Sequence, residues 1–318
     1  MKPRICSVYT NALARPQWVS PVLPRPFQHR RRSFASAHQY KALEVLDNAD
    51  IDRFREEYFI PERPVILPRQ YFHELPAYER WFHRGATPNI PRLNTEYLEP
   101  YGGDAIVPLE LTQPESQPSG SSSETFRKFH APLSLFLQWI REAESSSQIQ
   151  SRLYLAQCQL LDLPQALRDD FPTPTIVAKA GKGDVYDTNV WIGHPPTYTP
   201  LHRDPNPNLF VQLAGRKTVR LLAPQNGQTV FSYVRGQLGQ SGSREAAAFR
   251  GEEMMQGRER ALLEQAVWDD AVRNDTQTKE GFEAQMEAGD GLFIPKGWWH
   301  SIKGTGESVT ASVNWWFR

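Results

Sequence analysis

The sequence predicts a mainly β protein, with helices on its N-terminal side and one helical insertion between its strands. Two observations carry that reading. From Ser151 onward, short apolar runs recur between turn signals: Ser151 to Leu160, Thr188 to Ile192, Asn208 to Leu213, Lys217 to Leu222, Leu292 to Pro295, Trp298 to Lys303 and Val309 to Phe317. Between Gln237 and Glu287 the character changes to Arg, Glu, Ala and Gln, with Met254, Met255, Leu262, Leu263 and Ala266 at helical spacing.

The elements follow in order from about Tyr40. Asp50 to Phe59 reads as a capped short helix, and Pro64 to Pro68 as a strand pinned by prolines. His73 to Phe82 reads as helical, and Asp104 to Leu111 as a strand. Gln113 to Glu124, rich in Ser, Gln and Pro, reads as an exposed mobile loop. Leu133, Leu135, Phe136, Trp139 and Ile140 mark one face of a helix over Leu133 to Glu142. The link Ala214-Gly215-Arg216 between two apolar runs reads as a hairpin turn. The organisation is thus a leader over 1–43 and one domain over 44–318. That domain has a helix-and-strand subregion (44–150) and a β core (151–318) holding the insertion (237–287).

Composition sets the outer bounds. With 16 Phe, 11 Tyr and 9 Trp, a chain of 318 residues can build a large core. Its net charge of zero gives no support for nucleic acid as a partner. Two cysteines, Cys6 and Cys158, exclude a disulfide framework and a thiolate zinc site and suit a reducing compartment. No apolar run is long enough to span a bilayer, so no membrane partner is expected. The first acid is Glu44, whereas Lys2, Arg4, Arg15, Arg25, Arg30, Arg31, Arg32 and Lys41 all fall before it. Arg-rich, acid-poor leaders direct import into mitochondria, and Arg32-Ser33-Phe34-Ala35-Ser36 is similar to a matrix-peptidase site. A disordered basic tail is the competing reading, helped by Pro16, Pro21, Pro24 and Pro26; the cytoplasm or nucleus would then be the location.

The chemistry sits in two short motifs. Gly289-Asp290-Gly291 opens a turn and a strand that lead to Trp298-Trp299-His300, and His202-Arg203-Asp204 lies upstream. With 8 His and 36 acids in the chain, about one His-x-acid triplet arises by chance, so the upstream motif alone carries little. On an extended segment, however, residues two apart face the same way, so His202 and Asp204 can reach one ion. A third ligand from a second strand, His300, would complete the two-histidine, one-carboxylate set of non-haem Fe(II) oxygenases. Taken alone, His300 reads as a core histidine among Trp298, Trp299, Trp315 and Trp316.

Taken together, Thr199-Pro200-Leu201-His202-Arg203-Asp204, Asn208, Gly215-Arg216-Lys217, Gly289 to His300 and Val313-Asn314-Trp315-Trp316 resemble the JmjC (cupin-like) 2-oxoglutarate oxygenases. The pattern is most similar to the small hydroxylase branch that contains the asparaginyl hydroxylase acting on hypoxia-inducible factor. The resemblance covers roughly Asp50 to Arg318 and is strongest from Tyr154. It implies a double-stranded β-helix, two facing sheets forming a squashed barrel. It assigns His202, Asp204 and His300 to Fe(II). Lys217, Thr199 and Tyr154 (in Tyr154-Leu155-Ala156-Gln157) would hold the distal carboxylate of 2-oxoglutarate, with Asn208, Asn314 and Trp316 lining the cosubstrate and iron. A dianion whose keto-acid end binds iron needs a fixed cation and hydroxyl donors at its far end, and these residue types supply both.

The implied reaction is hydroxylation of a C–H bond of a protein side chain, with Fe(II), 2-oxoglutarate and O2 as the working set. Three readings compete: a JmjC histone-lysine demethylase, a hydroxylase of tRNA or a small molecule, and a metal cupin that does not use 2-oxoglutarate. Homodimers are common in such families, and nothing in the sequence decides the point. His202 and His300 stand 98 positions apart, more than in the smallest relatives, and the 237–287 insertion accounts for the excess.

Overall fold

The computed structural model describes residues 40–84, 90–116, 122–145, 151–247, 252–269 and 281–318. The predicted leader therefore lies outside the described residues except for its last four positions. Fifteen strands are present among the described residues: β1 (Tyr40–Ala42), β2 (Val65–Ile66), β3 (Phe82–Arg84), β4 (Pro91–Leu93), β5 (Ile106–Ser116), β6 (Ser122–Pro132), β7 (Arg152–Gln159), β8 (Val185–Gly193), β9 (Thr197–Arg203), β10 (Asn208–Ala214), β11 (Arg216–Leu222), β12 (Gly281–Met286), β13 (Gly291–Ile294), β14 (Trp299–Thr305) and β15 (Thr310–Phe317). They form a small sheet in the order β1-β12-β11-β14-β9 and a large one in the order β2-β13-β10-β15-β8-β7-β5-β6. A two-stranded ribbon, β3-β4, stands apart. Both the small and the large sheet are antiparallel except for the β1–β12 pair. The predicted double-stranded β-helix is the observed architecture.

Alternation explains how the sheets pack. Along β10, Leu209, Val211 and Leu213 point to a core shared with Phe54, Trp81, Phe136 and Leu137 from the N-terminal helices. The intervening Phe210 joins Val219, Leu221, Ala284, Met286, Leu292 and Ile294 between the sheets. On the far side of the small sheet, the helices Pro224–Gln237 and Gly257–Trp268 bury Val230, Phe231 and Leu263 against Leu201, Leu222 and Trp299. Every residue of β10 is buried, as expected for a strand covered on both faces.

That burial also explains a correction. β10 and β11 are not a hairpin: β10 pairs with β13 and β15, whereas β11 pairs with β12 and β14 in the other sheet. The chain crosses between sheets at Gly215, in the left-handed region at φ 65°. A Cβ there would lie 2.5 Å from the Val309 carbonyl oxygen. Gly215→Ala is expected to cost about 1–3 kcal/mol, read as a lower urea midpoint without loss of secondary structure. An unchanged midpoint would show that the crossing tolerates a side chain.

Other elements depart from the expectation for identifiable reasons. The loop expected at Gln113 to Glu124 is mostly strand, since β5 and β6 pair in unbroken register from Ile106↔Pro132 to Ser116↔Ser122. At its far end, residues 112–116 and 122–125 are Thr, Gln, Pro, Glu and Ser, so no apolar alternation announced that part. The helix expected over His73 to Phe82 is only Pro76–Arg80, which starts where Pro76 can sit in a first turn; Phe82 already belongs to β3. Among its described residues, the segment 237–287 holds a 3-10 turn at Glu252–Met255, the helix Gly257–Trp268 and then β12, a strand of the small sheet. Asp50 caps its helix as expected, its Oδ1 accepting from the Arg53 amide at 2.8 Å.

Candidate active site

His202 and His300 sit directly opposite each other on β9 and β14, which pair antiparallel through Trp299↔Arg203 and His300↔His202. Their rings lie 4.2 Å apart between centroids. Asp204 follows β9 at once, and its backbone carbonyl accepts from the Gly297 amide at 3.2 Å. That bond ties the turn Pro295-Lys296-Gly297 before His300 to the end of the first motif. His202 Nε2 is 3.8 Å from Asp204 Oδ1, and His300 Nε2 is 3.7 Å from Asp204 Oδ2. One ligand atom from each of the three lies within 4.8 Å of the other two, in the one such cluster found among the described residues.

The protonation pattern suits a metal. His202 Nδ1 is 2.9 Å from the Pro200 carbonyl, and His300 Nδ1 is 3.2 Å from the Trp298 carbonyl. A carbonyl only accepts, so each Nδ1 donates to it and each Nε2 is left facing Asp204. Burial pushes His300 down to about 4; His202 adds to the shift and Asp204 offsets part of it. The imidazole is therefore neutral, the form that ligates. Asp204 Oδ2 accepts from Asn208 Nδ2 at 2.8 Å and from Trp316 Nε1 at 3.1 Å, which fixes the carboxylate's orientation. Removing the Trp316 donor, as in Trp316→Phe, is expected to weaken divalent-metal affinity roughly 10–100-fold, measured by calorimetric titration. Unchanged affinity would mean that Asn208 alone positions the carboxylate.

A cavity of about 470 Å³ opens on this cluster, and all nine residues singled out from the sequence line it: Tyr154, Thr199, His202, Asp204, Asn208, Lys217, His300, Asn314 and Trp316. Lys217 is the decisive member. It alternates with Val219 and Leu221 on the inward face of β11 and is only 2% exposed. Its Nζ donates to Ser312 Oγ at 2.7 Å and lies 3.5 Å from Tyr154 Oη, with the Phe210 ring centroid 5.5 Å away. No carboxylate pairs with it among the described residues. Burial alone pushes it down to about 7. The Tyr154 phenol is raised by burial and stays a neutral hydroxyl. In its charged form this lysine, set among hydroxyls on the cavity wall, would be favoured by an anionic occupant. Asn208 Oδ1 and Asn314 Nδ2, both buried, also lack partners among the described residues, leaving one acceptor and one donor for a polar occupant.

Some of the lining was missed from sequence. Ser312 is two positions before Asn314 on β15, and strand alternation from Asn314 and Trp316 points to it. Trp191 Nε1 donates to Asn314 Oδ1 at 2.8 Å and so orients that amide. Gln157, at φ 51° where β7 and β8 slip register, also faces the cavity, as do Glu110, Lys128 and Met255. No local pattern marks these; the fold brings them there. Gly289-Asp290-Gly291 has a structural task instead. Asp290 is buried, pairs with Arg69, and accepts from the Gln70 and Glu287 amides at 3.1 and 3.0 Å.

The profile of the cupin-like domain family matches residues 51–318. The chain belongs to the JmjC, cupin-like family. Among relatives of this JmjC chain are the lysine-specific demethylase JMJ30 of Arabidopsis thaliana, 26% identical over 276 residues (87% of this chain, 55% of the relative), and lysine-specific demethylase 8 of Danio rerio, 26% identical over 306 residues (92% and 63%). The Jumonji C domain-containing protein 5 of Drosophila melanogaster is 25% identical over 280 residues (85% and 59%). The JmjC chain thus spans somewhat more than half the length of these relatives.

Proposed function

We propose that the protein is an Fe(II)- and 2-oxoglutarate-dependent dioxygenase that hydroxylates a C–H bond of a protein side chain. The buried Lys217, set among hydroxyls in the same cavity as His202, Asp204 and His300, is the observation that carries the reading. A metal cupin without a dicarboxylate cosubstrate has no use for that cation. In this reading His202, Asp204 and His300 would hold the iron. Bound Fe(II), with 2-oxoglutarate and O2, supplies the oxidising power, yielding succinate and CO2. The chain's own residues bind and orient. Lys217, with the Tyr154 and Thr199 hydroxyls, fixes the far carboxylate, while the Asn208 and Trp316 donors keep Asp204 aimed.

The test is conversion of 2-oxoglutarate to succinate by purified protein with Fe(II), alongside His202→Ala. Proteomes of wild-type and His202→Ala cells would then be compared for lost +16 Da side-chain modifications. If the wild type forms no succinate with any protein pool, the reading fails.

A second reading, demethylation of N-methyl-lysine, is favoured by the names of two of the relatives above. It predicts formaldehyde release from methyl-lysine peptides. We further propose import into the mitochondrial matrix, supported by the acid-free, Arg-rich residues 1–43. Failure of a fused 1–43 segment to direct a fluorescent reporter there would leave the basic-tail reading.

A further inference from the structure

Strand β6 is the last strand of the large sheet, paired on one side with β5 and on the other with nothing among the described residues. It is eleven residues long, its register with β5 has no bulge, and its one proline, Pro132, lies at its end. Such an edge presents a straight row of outward N–H and C=O groups, which proteins usually interrupt. Here only charge interrupts it, through Arg127 and Lys128.

The charges are placed in a way that selects one partner. Residues 124, 126 and 128 share one face of the strand, the face on which Lys128 lines the cavity. Glu124 and Lys128 flank Phe126 at equal distances along the chain. If a second β6 lies antiparallel beside the first with Phe126 opposite Phe126, each Glu124 falls opposite a Lys128 and the two aromatic rings meet at the two-fold axis. Opposite-charge and aromatic pairs are the favourable cross-strand pairs. Sliding the pairing so that it centres on residue 127 sets Arg127 against Arg127, and centring on residue 128 sets Lys128 against Lys128; both are disfavoured. Lys128 is exposed and has no ion-pair partner among the described residues, whereas Glu124 reaches back to Arg152 at 2.5 Å and keeps its other oxygen. The charges that would repel a stranger's strand in most registers attract a copy of the same strand in one.

We infer that β6 is an interface for a second copy of this chain, the large sheets of two protomers joining edge to edge about a two-fold axis at Phe126. The interface then forms one rim of the cavity, because Lys128 belongs to both. Such an interface is isologous, so one substitution changes it twice.

Sedimentation equilibrium of the full chain at micromolar concentration tests this. The wild type is expected to be a dimer. Glu124→Lys and Lys128→Glu, each creating two like-charge pairs, are expected to raise the dissociation constant roughly tenfold or more. The double variant Glu124→Lys/Lys128→Glu is expected to restore the dimer, and Phe126→Cys to link two copies through a disulfide under oxidation. Unchanged circular dichroism and melting in the single variants separate a lost interface from a lost fold. A wild type that stays monomeric at about 100 µM overturns the inference, as does a dimer indifferent to both single charge reversals or a single-variant defect that the double variant does not repair.

Discussion

Alanine in place of His300 is expected to abolish high-affinity divalent-metal binding while leaving the protein folded. Three ligand groups converge within 4.8 Å, and two remaining donors cannot hold a non-haem metal against water. The loss should exceed the roughly 10–100-fold expected from Trp316→Phe, which removes only a donor to Asp204. His300 is 2% exposed, and burial already penalises its charged form, so the alanine variant removes no native ion pair. The melting temperature without metal should fall by the lost ring packing and the lost bond to the Trp298 carbonyl, whereas the further stabilisation gained on adding Fe(II) or Mn(II) should vanish altogether. Variant protein that still binds metal with wild-type affinity would overturn the assignment of His300.

The second large effect is expected at Lys217 and has two opposite signs. Lys217→Met should stabilise the ligand-free protein and destroy its affinity for 2-oxoglutarate. The folded protein holds this lysine at about 7 against an ordinary 10.5. Between those values the unfolded chain binds a proton that the folded chain does not. Stability without ligand thus rises with pH across that window, by up to about 1.4 kcal/mol per unit, and the penalty is fully present below it. Methionine removes the penalty, so the gain is largest at and below neutral pH and fades toward pH 10. A dianionic cosubstrate leaves the lysine charged, so in its presence the wild-type slope should flatten. In the variant the far carboxylate would lie buried beside an apolar chain, costing about 3–5 kcal/mol, or roughly 10²–10⁴-fold in affinity. Melting curves with and without 2-oxoglutarate across pH 6 to 10 read both effects. A variant less stable than the wild type at neutral pH and still stabilised by 2-oxoglutarate would sink the argument.

How much of this was legible beforehand depended on whether neighbours in sequence were also neighbours in space. His202 and Asp204 share one extended segment, so their facing one way could be read from the residues. Thr199, Lys217, Asn314 and Trp316 came from the family resemblance, and strand alternation from the last two would have reached Ser312. Glu110, Lys128 and Gln157 reach the cavity because β7, β5 and β6 extend the large sheet past β8, a pairing no local pattern encodes. The crossing at Gly215 was misread because two apolar runs joined by a glycine look the same whether the second run returns beside the first or passes to the opposite sheet. Only the completed layers distinguish them, since each strand finds different partners. The far end of the β5–β6 ribbon was misread because strand signals rely on apolar alternation, and residues 112–116 and 122–125 carry only Thr, Gln, Pro, Glu and Ser.

The bond from the Gly297 amide to the Asp204 carbonyl, with His300 set opposite His202, joins stretches of chain almost a hundred residues apart. Between them the polypeptide must lay down β10, β11, two helices, β12 and β13 before the loop closes. Closing so long a loop is entropically slow and is repaid only by the sheet contacts it permits. A nascent or partly unfolded chain therefore offers isolated histidines but no three-pronged grip. Capture of a metal by this cluster would thus be a late event, one that reports arrival at the native state.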